Sequence, residues 1–461
     1  MTEKIKIATL IARNDKKETM KIIVLAGGEG KRMWPIQTDK CLLPFLGKPL
    51  LYHNLKQIKL HLEGVRAHLP GELDSFVIIA NPQSKEKIAE IARELDLNFQ
   101  IAVQNEPKGM ADALLSAKDL LDGEILIVNA EDVLDKHIYQ DVLDAAQKTK
   151  ADVFFPGISF GKYFPGGYLK LEADRVLGIV EKPGEGNEPS DVVKLVTDYF
   201  RDGNSLISYL QKVSSEEDDQ YEVAISEMIT DGLNVRFANY KGIWLPLKYP
   251  WHILDITAYL LSQVEQNISS QAKISEKATI EGNVIIEDGV KVLEGAVIKG
   301  PAYIGKNCIV GNNSMVRESN LEEGCVTGFS SDITRSYIGT NSWFHTNYIG
   351  DSVLEGDLGM GSGAVIANLR LNNQGVAVGE EKINTGRNKL GLMAGKGARI
   401  GVNASTMPGV RVGSGSLVGP GVVLRKDLQE NKKITFKEES YEVADYQSTA
   451  TSYDQFRDKL K

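Results

Sequence analysis

Two stretches of this 461-residue chain carry residues in an order that suits chemistry. In the first, the apolar run Met20-Lys21-Ile22-Ile23-Val24-Leu25 leads directly into Ala26-Gly27-Gly28-Glu29-Gly30-Lys31-Arg32. A buried strand opening into glycines offers bare backbone N–H groups to anionic oxygens, and Arg32 supplies a neutralising charge, an order that suits a triphosphate. The loop follows neither G-x-G-x-x-G nor G-x-x-x-x-G-K-[ST], and a close-packed glycine turn with Arg32 in solvent accounts for the same residues. Further on, Ile127-Val128-Asn129-Ala130 ends in the acidic pair Glu131-Asp132, either a solvated strand end or a place for a cation. In the second stretch His345 is one of only six histidines in the chain. A neutral imidazole can take a proton from an amine near physiological pH, although a lone histidine is more often a packed or surface residue.

The elements that must position these groups are of two kinds. Strands alternating with helices, such as Phe76 to Ala80 and Ile125 to Val128, predict an α/β domain with a mostly parallel, Rossmann-like sheet over residues 20–250, behind an extension over 1–19. A helix within 251–266 joins it to the rest. From Ile268 a β-branched aliphatic then recurs at every sixth position, through Ile274, Ile280, Ile286, Val292, Ile298, Ile304, Val310 and Val316. The pattern returns at Ile400, Val412, Val418 and Leu424, with Thr406 holding register. A period of six fits neither a strand nor an α-helix and predicts a hexapeptide parallel β-helix over 267–428, its aliphatics stacked inside a prism. Between Glu322 and Ala398 the hexads slip, and loops such as Asn368 to Gly375 are expected to leave the prism and carry function. Residues 429–461 read as a charged, partly amphipathic tail capping the open end of the solenoid.

Composition excludes several classes. A net charge of −9 without a local basic run argues against a nucleic-acid surface. Three scattered cysteines, Cys41, Cys308 and Cys325, are too few for a disulfide framework or a thiolate metal site. No stretch is long and apolar enough to span a bilayer, and the first residues lack a secretory pattern, so the cytoplasm is the expected compartment.

The motifs of residues 20–260 resemble, as an ordered set, the sugar-1-phosphate nucleotidyltransferases, whose pattern is L-A-G-G-x-G-T-R-x-x-P followed by P-K-x-L-L-P-x-x-G-K-P. The matching residues are Leu25 to Arg32, Lys40 to Leu50, Gln104, Gly109 to Leu114, Ile127 to Asp132 and Glu181-Lys182-Pro183. The resemblance implies attack by a sugar-1-phosphate oxygen on the α-phosphorus of a nucleoside triphosphate, with release of pyrophosphate. It implies Arg32 on the leaving pyrophosphate and Lys40 on the α-phosphate. Leu25, Ala26, Gly27, Gly28 and Gln104 would lie at the nucleotide, and Gly167, Glu181 and Lys182 at the sugar and its phosphate. It implies Mg2+ near Glu131 and Asp132. The family's W-x-D-x-x-x-P-W pattern is here Trp244 to Trp251, with Pro246 where a second metal carboxylate belongs.

The second half resembles the acetyltransferase half of bifunctional N-acetylglucosamine-1-phosphate uridylyltransferases of the archaeal type. The residues are His345 to Asp351, matching H-x-x-Y-x-G-D, then Gly361 to Arg370, Thr385 to Gly391 and Met407 to Val410. The resemblance implies a left-handed β-helix, His345 as general base, and Arg335, Tyr348, Asn368 and Lys389 around an amino-sugar phosphate. It implies acetyl-CoA as co-substrate in a groove between subunits of a homotrimer. Two alternatives stay open: a nucleotidyltransferase whose β-helix only assembles the trimer, and a sugar-nucleotide-binding domain without turnover that regulates an acetyltransferase.

Overall fold

The computed structural model describes residues 20–28, 30–65, 73–159, 161, 163–215 and 217–436. The expected extension over 1–19 and the tail beyond 436 lie outside them. The amino-terminal half is built on a ten-stranded sheet with Met20–Ala26 between Leu73–Ala80 and Ile125–Asn129. Ile22, Ile23 and Val24 are all buried, because helices cover both faces of the sheet and leave no solvent side for alternation. Ile22 and Val24 pack toward Leu55, Ile88 and Leu126, whereas Ile23 packs toward Val77, Leu114 and Ile127.

Phe99–Val103, Leu73–Ala80, Met20–Ala26 and Ile125–Asn129 run parallel, so their carboxyl ends form one edge. Leu25 pairs with Asn129, Ala26 with Ala80 and Ala80 with Val103, a register that delivers the glycine loop, Gln104 and Glu131 to that edge together. The other half of the sheet is largely antiparallel: Thr197–Phe200 reverses direction against Ile125–Asn129, and Gly167–Glu172 pairs with Arg175–Glu181 as a hairpin.

From Asn267 the chain winds into a left-handed parallel β-helix with three ladders of short strands. Ile286, Val292, Ile298, Ile304, Val310 and Val316 are buried in one continuous core, as the hexads require. Ile268 is 39% exposed and Ile274 and Ile280 are half-buried, because the first coil has no coil beneath it. The last strand among the described residues, Lys433–Ile434, adds to Leu417–Val418 beyond the point where the sequence pattern fades.

The slipped hexads do not mark a break in the solenoid. Ile333, Ile338, Phe344, Ile349, Leu354, Met360 and Ile366 continue the same core, with some corners shortened by one residue. Glu318, Arg335 and Asp351 occupy such corners with left-handed φ of 49°, 46° and 49°. Only the segment between Ile366 and Leu392 makes a long excursion, and it carries a small antiparallel hairpin of Ala377–Val378 and Ile383–Asn384.

The two halves share a core. Met33, Ile36, Leu43 and Phe45, from the segment around Lys40, pack with Leu247, Trp251 and Ile253 against Tyr337, Val353, Val376, Val378, Leu390 and Met393 of the β-helix. Phe45 and Tyr337 lie with ring centroids 5.5 Å apart, and Arg387 pairs with Asp255. All three cysteines are buried and unpaired, Cys41 in the amino-terminal half and Cys308 and Cys325 inside the prism. No helix among the described residues is long and apolar enough to cross a membrane.

Candidate functional site

The carboxyl edge of the sheet opens into a cleft with two compartments. The first, about 510 Å3, is lined by Leu25, Gly27, Gly28, Gly30, Arg32, Lys40, Gln104, Glu131, Asp132 and Lys248. Ala26 is buried and points into the core, so only its backbone belongs to the loop. A Cβ at Gly27 would stand 2.7 Å from Gln104 Oε1, which explains the glycine. Gln104 is held by donating to Gly109 O at 3.1 Å and Asp112 Oδ2 at 2.8 Å, leaving its carbonyl oxygen toward the loop. Gly30 has φ of 64°, and a Cβ there would meet the Lys40 side chain at 3.2 Å. The loop therefore turns left-handed and lets the Lys40 stem pass.

Lys40 pairs with Glu131, with both side chains mostly buried. Burial raises the Glu131 carboxyl above its ordinary range, against the opposing pull of Lys40. Asp132 is likewise raised by burial, with Lys248 opposing, and it accepts from Trp244 Nε1 at 3.1 Å. The Arg32 guanidinium lies 5.8 Å from the ring centroid of Tyr249, which stacks on Trp251 at 4.5 Å.

The second compartment, about 490 Å3, is lined by Gly167, Glu181, Lys182, Lys194, Tyr221 and Glu222, and shares Arg32, Asp132 and Lys248 with the first. Gly167 is the strand partner of Glu181, and Lys182 pairs with Glu181 at 3.0 Å. In its wall Lys194 Nζ lies 2.5 Å from Asp198 Oδ2, which also accepts from Tyr221 Oη at 2.5 Å. Burial pushes the Glu222 carboxyl up to about 7, with Lys194 opposing.

In the β-helix three of the expected acceptor residues meet at the tight corners, organised by a residue the sequence reading did not assign. Arg335 donates to both carboxylate oxygens of Asp351 at 2.8 Å, and Asn368 donates to Asp351 Oδ2 at 2.5 Å and to Tyr348 Oη at 3.2 Å. Lys389 is exposed and bridges in antiparallel fashion to Leu369, next to Asn368. His345 stands apart. Its exposed ring lines a different groove of about 540 Å3, with Trp343, Met360, Arg399, Val402, Leu417 and Pro420. Among the described residues no hydrogen bond joins that ring to the Arg335, Tyr348 and Asn368 group.

Two family patterns match the chain: nucleotidyl transferase over residues 21–247, and the bacterial transferase hexapeptide (six repeats) over residues 283–318. A bifunctional sugar-1-phosphate nucleotidylyltransferase/acetyltransferase from Sulfurisphaera tokodaii is 30% identical over 428 residues, covering 89% of this chain and 98% of that protein. The chain belongs to this bifunctional family. Other members alike over their full length are the bifunctional protein GlmU of Methanococcus maripaludis, 28% identical over 91% of this chain and 98% of its own, and that of Methanocaldococcus jannaschii, with the same figures. A glucose-1-phosphate thymidylyltransferase from Xanthomonas campestris is 30% identical over 40% of this chain and 60% of its own length.

Within the bifunctional fold of this chain, Glu131, Asp132 and Asp218 are the acids lining the compartment of the glycine loop. Among the described residues no group of three or more histidine, cysteine or acidic side chains is arranged for a metal. Mg2+ commonly takes only one or two protein carboxylates and completes its shell with phosphate oxygens and water, so two buried acids beside the glycine loop fit it. Pro246 lies directly opposite Asp132 in the antiparallel pair of Trp244–Pro246 with Asp132–Leu134 and brings no third oxygen ligand from its side chain. Sequence reasoning did not find Lys248, Lys194, Glu222 or Asp351. For Asp351 the signal was present in the G-D step of its motif.

Proposed function

We propose that the amino-terminal domain transfers a nucleotidyl group from a nucleoside triphosphate to a sugar 1-phosphate, and that the β-helix acetylates an amino-sugar 1-phosphate from acetyl-CoA. The observation that carries the first activity is that the glycine loop with Lys40 and the Glu181–Lys182 pair open onto one continuous cleft through Arg32, Asp132 and Lys248. Backbone N–H groups of Gly27 and Gly28 bind triphosphate oxygens, and Gln104 accepts from the base. Lys40 exchanges its Glu131 partner for the α-phosphate, and Arg32 draws charge toward the leaving pyrophosphate. Glu181 and Lys182 orient the sugar and its phosphate. Mg2+ held by Glu131 and Asp132 would neutralise triphosphate charge. The protein's contribution is alignment of an in-line displacement and fixed positive charge around it.

In the β-helix, Arg335 and Lys389 bind the acceptor phosphate, with Tyr348 and Asn368 on the sugar. His345 accepts the amine proton as the thioester carbonyl is attacked, and the groove beside it holds the acetyl-CoA chain. His345 lines a groove to which Arg335, Tyr348 and Asn368 do not contribute, and a homotrimer in which neighbouring copies complete each site would bring the two together. The expected compartment is the cytoplasm, and no nucleic acid or membrane takes part.

Pyrophosphate release by purified full-length protein, with Mg2+, the common nucleoside triphosphates and glucose, mannose and N-acetylglucosamine 1-phosphates, tests the first activity. Turnover lost on Lys40→Ala supports it. Nucleotide binding without turnover for any pair supports the regulatory reading, which the proline opposite Asp132 favours. Thiol release from acetyl-CoA with glucosamine 1-phosphate tests the second activity.

A further inference from the structure

Lys248 is a cation without a use in the chemistry derived above. Its backbone is held by its neighbours: Leu247 is buried in the interdomain core and donates to Glu131 O at 3.3 Å, and Lys248 N–H lies 3.1 Å from Pro246 O and 3.2 Å from His252 Nδ1. Its ammonium lies 4.0 Å from the Phe164 ring centroid and faces both compartments of the cleft. Among the described residues no carboxylate reaches ion-pair distance of it; Asp132 and Glu181 act on it from farther away, and Arg32 and Lys182 repel it. A half-buried ammonium among other cations is costly unless an anion joins them. The anion that belongs at the junction of the two compartments is the phosphate of the sugar 1-phosphate, which must meet the α-phosphorus there.

We propose that Lys248 is a catalytic residue for nucleotidyl transfer, its ammonium binding the phosphate of the sugar 1-phosphate and aiming it at the α-phosphorus. This rests on the nucleotidyl-transfer reading. The acceptor phosphate oxygen forms the new bond to the α-phosphorus while the bond from that phosphorus to the α,β-bridging oxygen breaks. Pyrophosphate leaves with the electron pair, and no oxidant or further reactant is consumed. A dianionic sugar phosphate must approach the negatively charged α-phosphate of the triphosphate in this step, and a lysine at their meeting point lowers their repulsion. Pro246, opposite Asp132, contributes no carboxylate to attract a second metal ion, so positive charge at this point comes from the side chain itself.

The test uses full-length protein, Lys248→Met, which keeps the stem over Phe164, and Lys248→Arg, which keeps the charge. Calorimetry with glucose 1-phosphate and N-acetylglucosamine 1-phosphate reads acceptor binding, Mn2+ electron paramagnetic resonance reads metal binding, and pyrophosphate release reads turnover. We expect Lys248→Met to weaken sugar-phosphate binding by about tenfold or more and to lower kcat by about a hundredfold, with Lys248→Arg recovering most of both and Mn2+ binding unchanged. Unchanged sugar-phosphate affinity in Lys248→Met melting like the wild type overturns the proposal, as does a wild type that binds neither sugar phosphate. Loss of Mn2+ binding alone also overturns it, by making Lys248 only a support for Asp132. Wild-type protein that binds sugar phosphate through Lys248 yet turns over no triphosphate refutes nucleotidyl transfer and with it a catalytic role, while acceptor binding is read separately.

Discussion

Thr38 donates both its backbone N–H and its hydroxyl to one carboxylate oxygen of Glu355, at 2.7 and 2.8 Å, across 317 residues of sequence. Gln37 N–H joins them on the same oxygen at 2.8 Å, and Lys396 N–H reaches the other at 2.9 Å. The segment leading into Lys40 is thus fastened to a β-helix corner. Glu355→Ala leaves three backbone donors without their partner and should destabilise the protein by about 2–4 kcal/mol. Because Lys40 follows two residues later, kcat/KM for pyrophosphate release should also fall by about tenfold. Denaturant unfolding and steady-state kinetics check both, and a variant with unaltered kinetics would detach the corner from the active site.

Lys40→Met removes the cation from beside the glycine loop and leaves Glu131 buried without its partner. Pyrophosphate release should drop by about a hundred- to a thousandfold while acetyl transfer persists. Measuring both activities on one preparation separates a lost phosphate contact from a misfolded chain.

His345→Ala should give the converse pattern, with acetyl transfer reduced by about a hundredfold or more and pyrophosphate release intact. Asp351→Asn keeps the shape but weakens the bidentate grip on Arg335, so the KM for the acetyl acceptor should rise by about tenfold with a smaller change in kcat. Equal losses of both parameters would move Asp351 from positioning to folding.

Stability should depend on pH through Glu322. Burial beneath the amino-terminal half pushes its carboxyl from 4.5 up to about 7, although Asn320 and the Gly47 N–H both donate to it. The folded chain therefore keeps a proton that the unfolded chain has released. This contribution is full below about 4.5 and is lost as pH rises through about 7, a change on the order of 3 kcal/mol. Glu322→Gln should flatten the profile. Thermal melts from about pH 5 to about pH 8.5 check it, and a variant as pH-sensitive as the wild type would assign the dependence elsewhere.

Much of this architecture is legible in the order of the amino acids alone. Hexads from Ile286 to Val316 lie inside the prism because only a six-residue step returns an aliphatic to the same wall of a three-sided coil. The glycine loop is legible because a strand buried on both faces has no polar alternation and must end abruptly. The slip near Glu322 is harder to read, since a corner shortened by one residue and a true excursion disturb the period alike. Residues such as Ile338 and Phe344 show that the first is the case there. The interdomain core is hidden for another reason: Trp251, Val376 and Leu390 belong to a helix start, a hairpin and a loop whose local patterns do not require burial. Lys248 is hidden because it follows the strand Trp244–Pro246, whose pairing with Asp132–Leu134 brings it to the junction of the two compartments, a relation that sequence distance conceals.

The three buried thiols give the molecule its own reporters of opening. Cys41 sits beside Lys40, while Cys308 and Cys325 stack within successive coils of the prism. Burial first, and then Asp39 and Glu131, push the Cys41 thiol far above its ordinary range, so it is unreactive while its segment stays closed. Alkylation rates at each cysteine, followed by mass spectrometry, would therefore time the loosening of the catalytic sheet and of the solenoid separately, in unlabelled wild-type protein and with either substrate present.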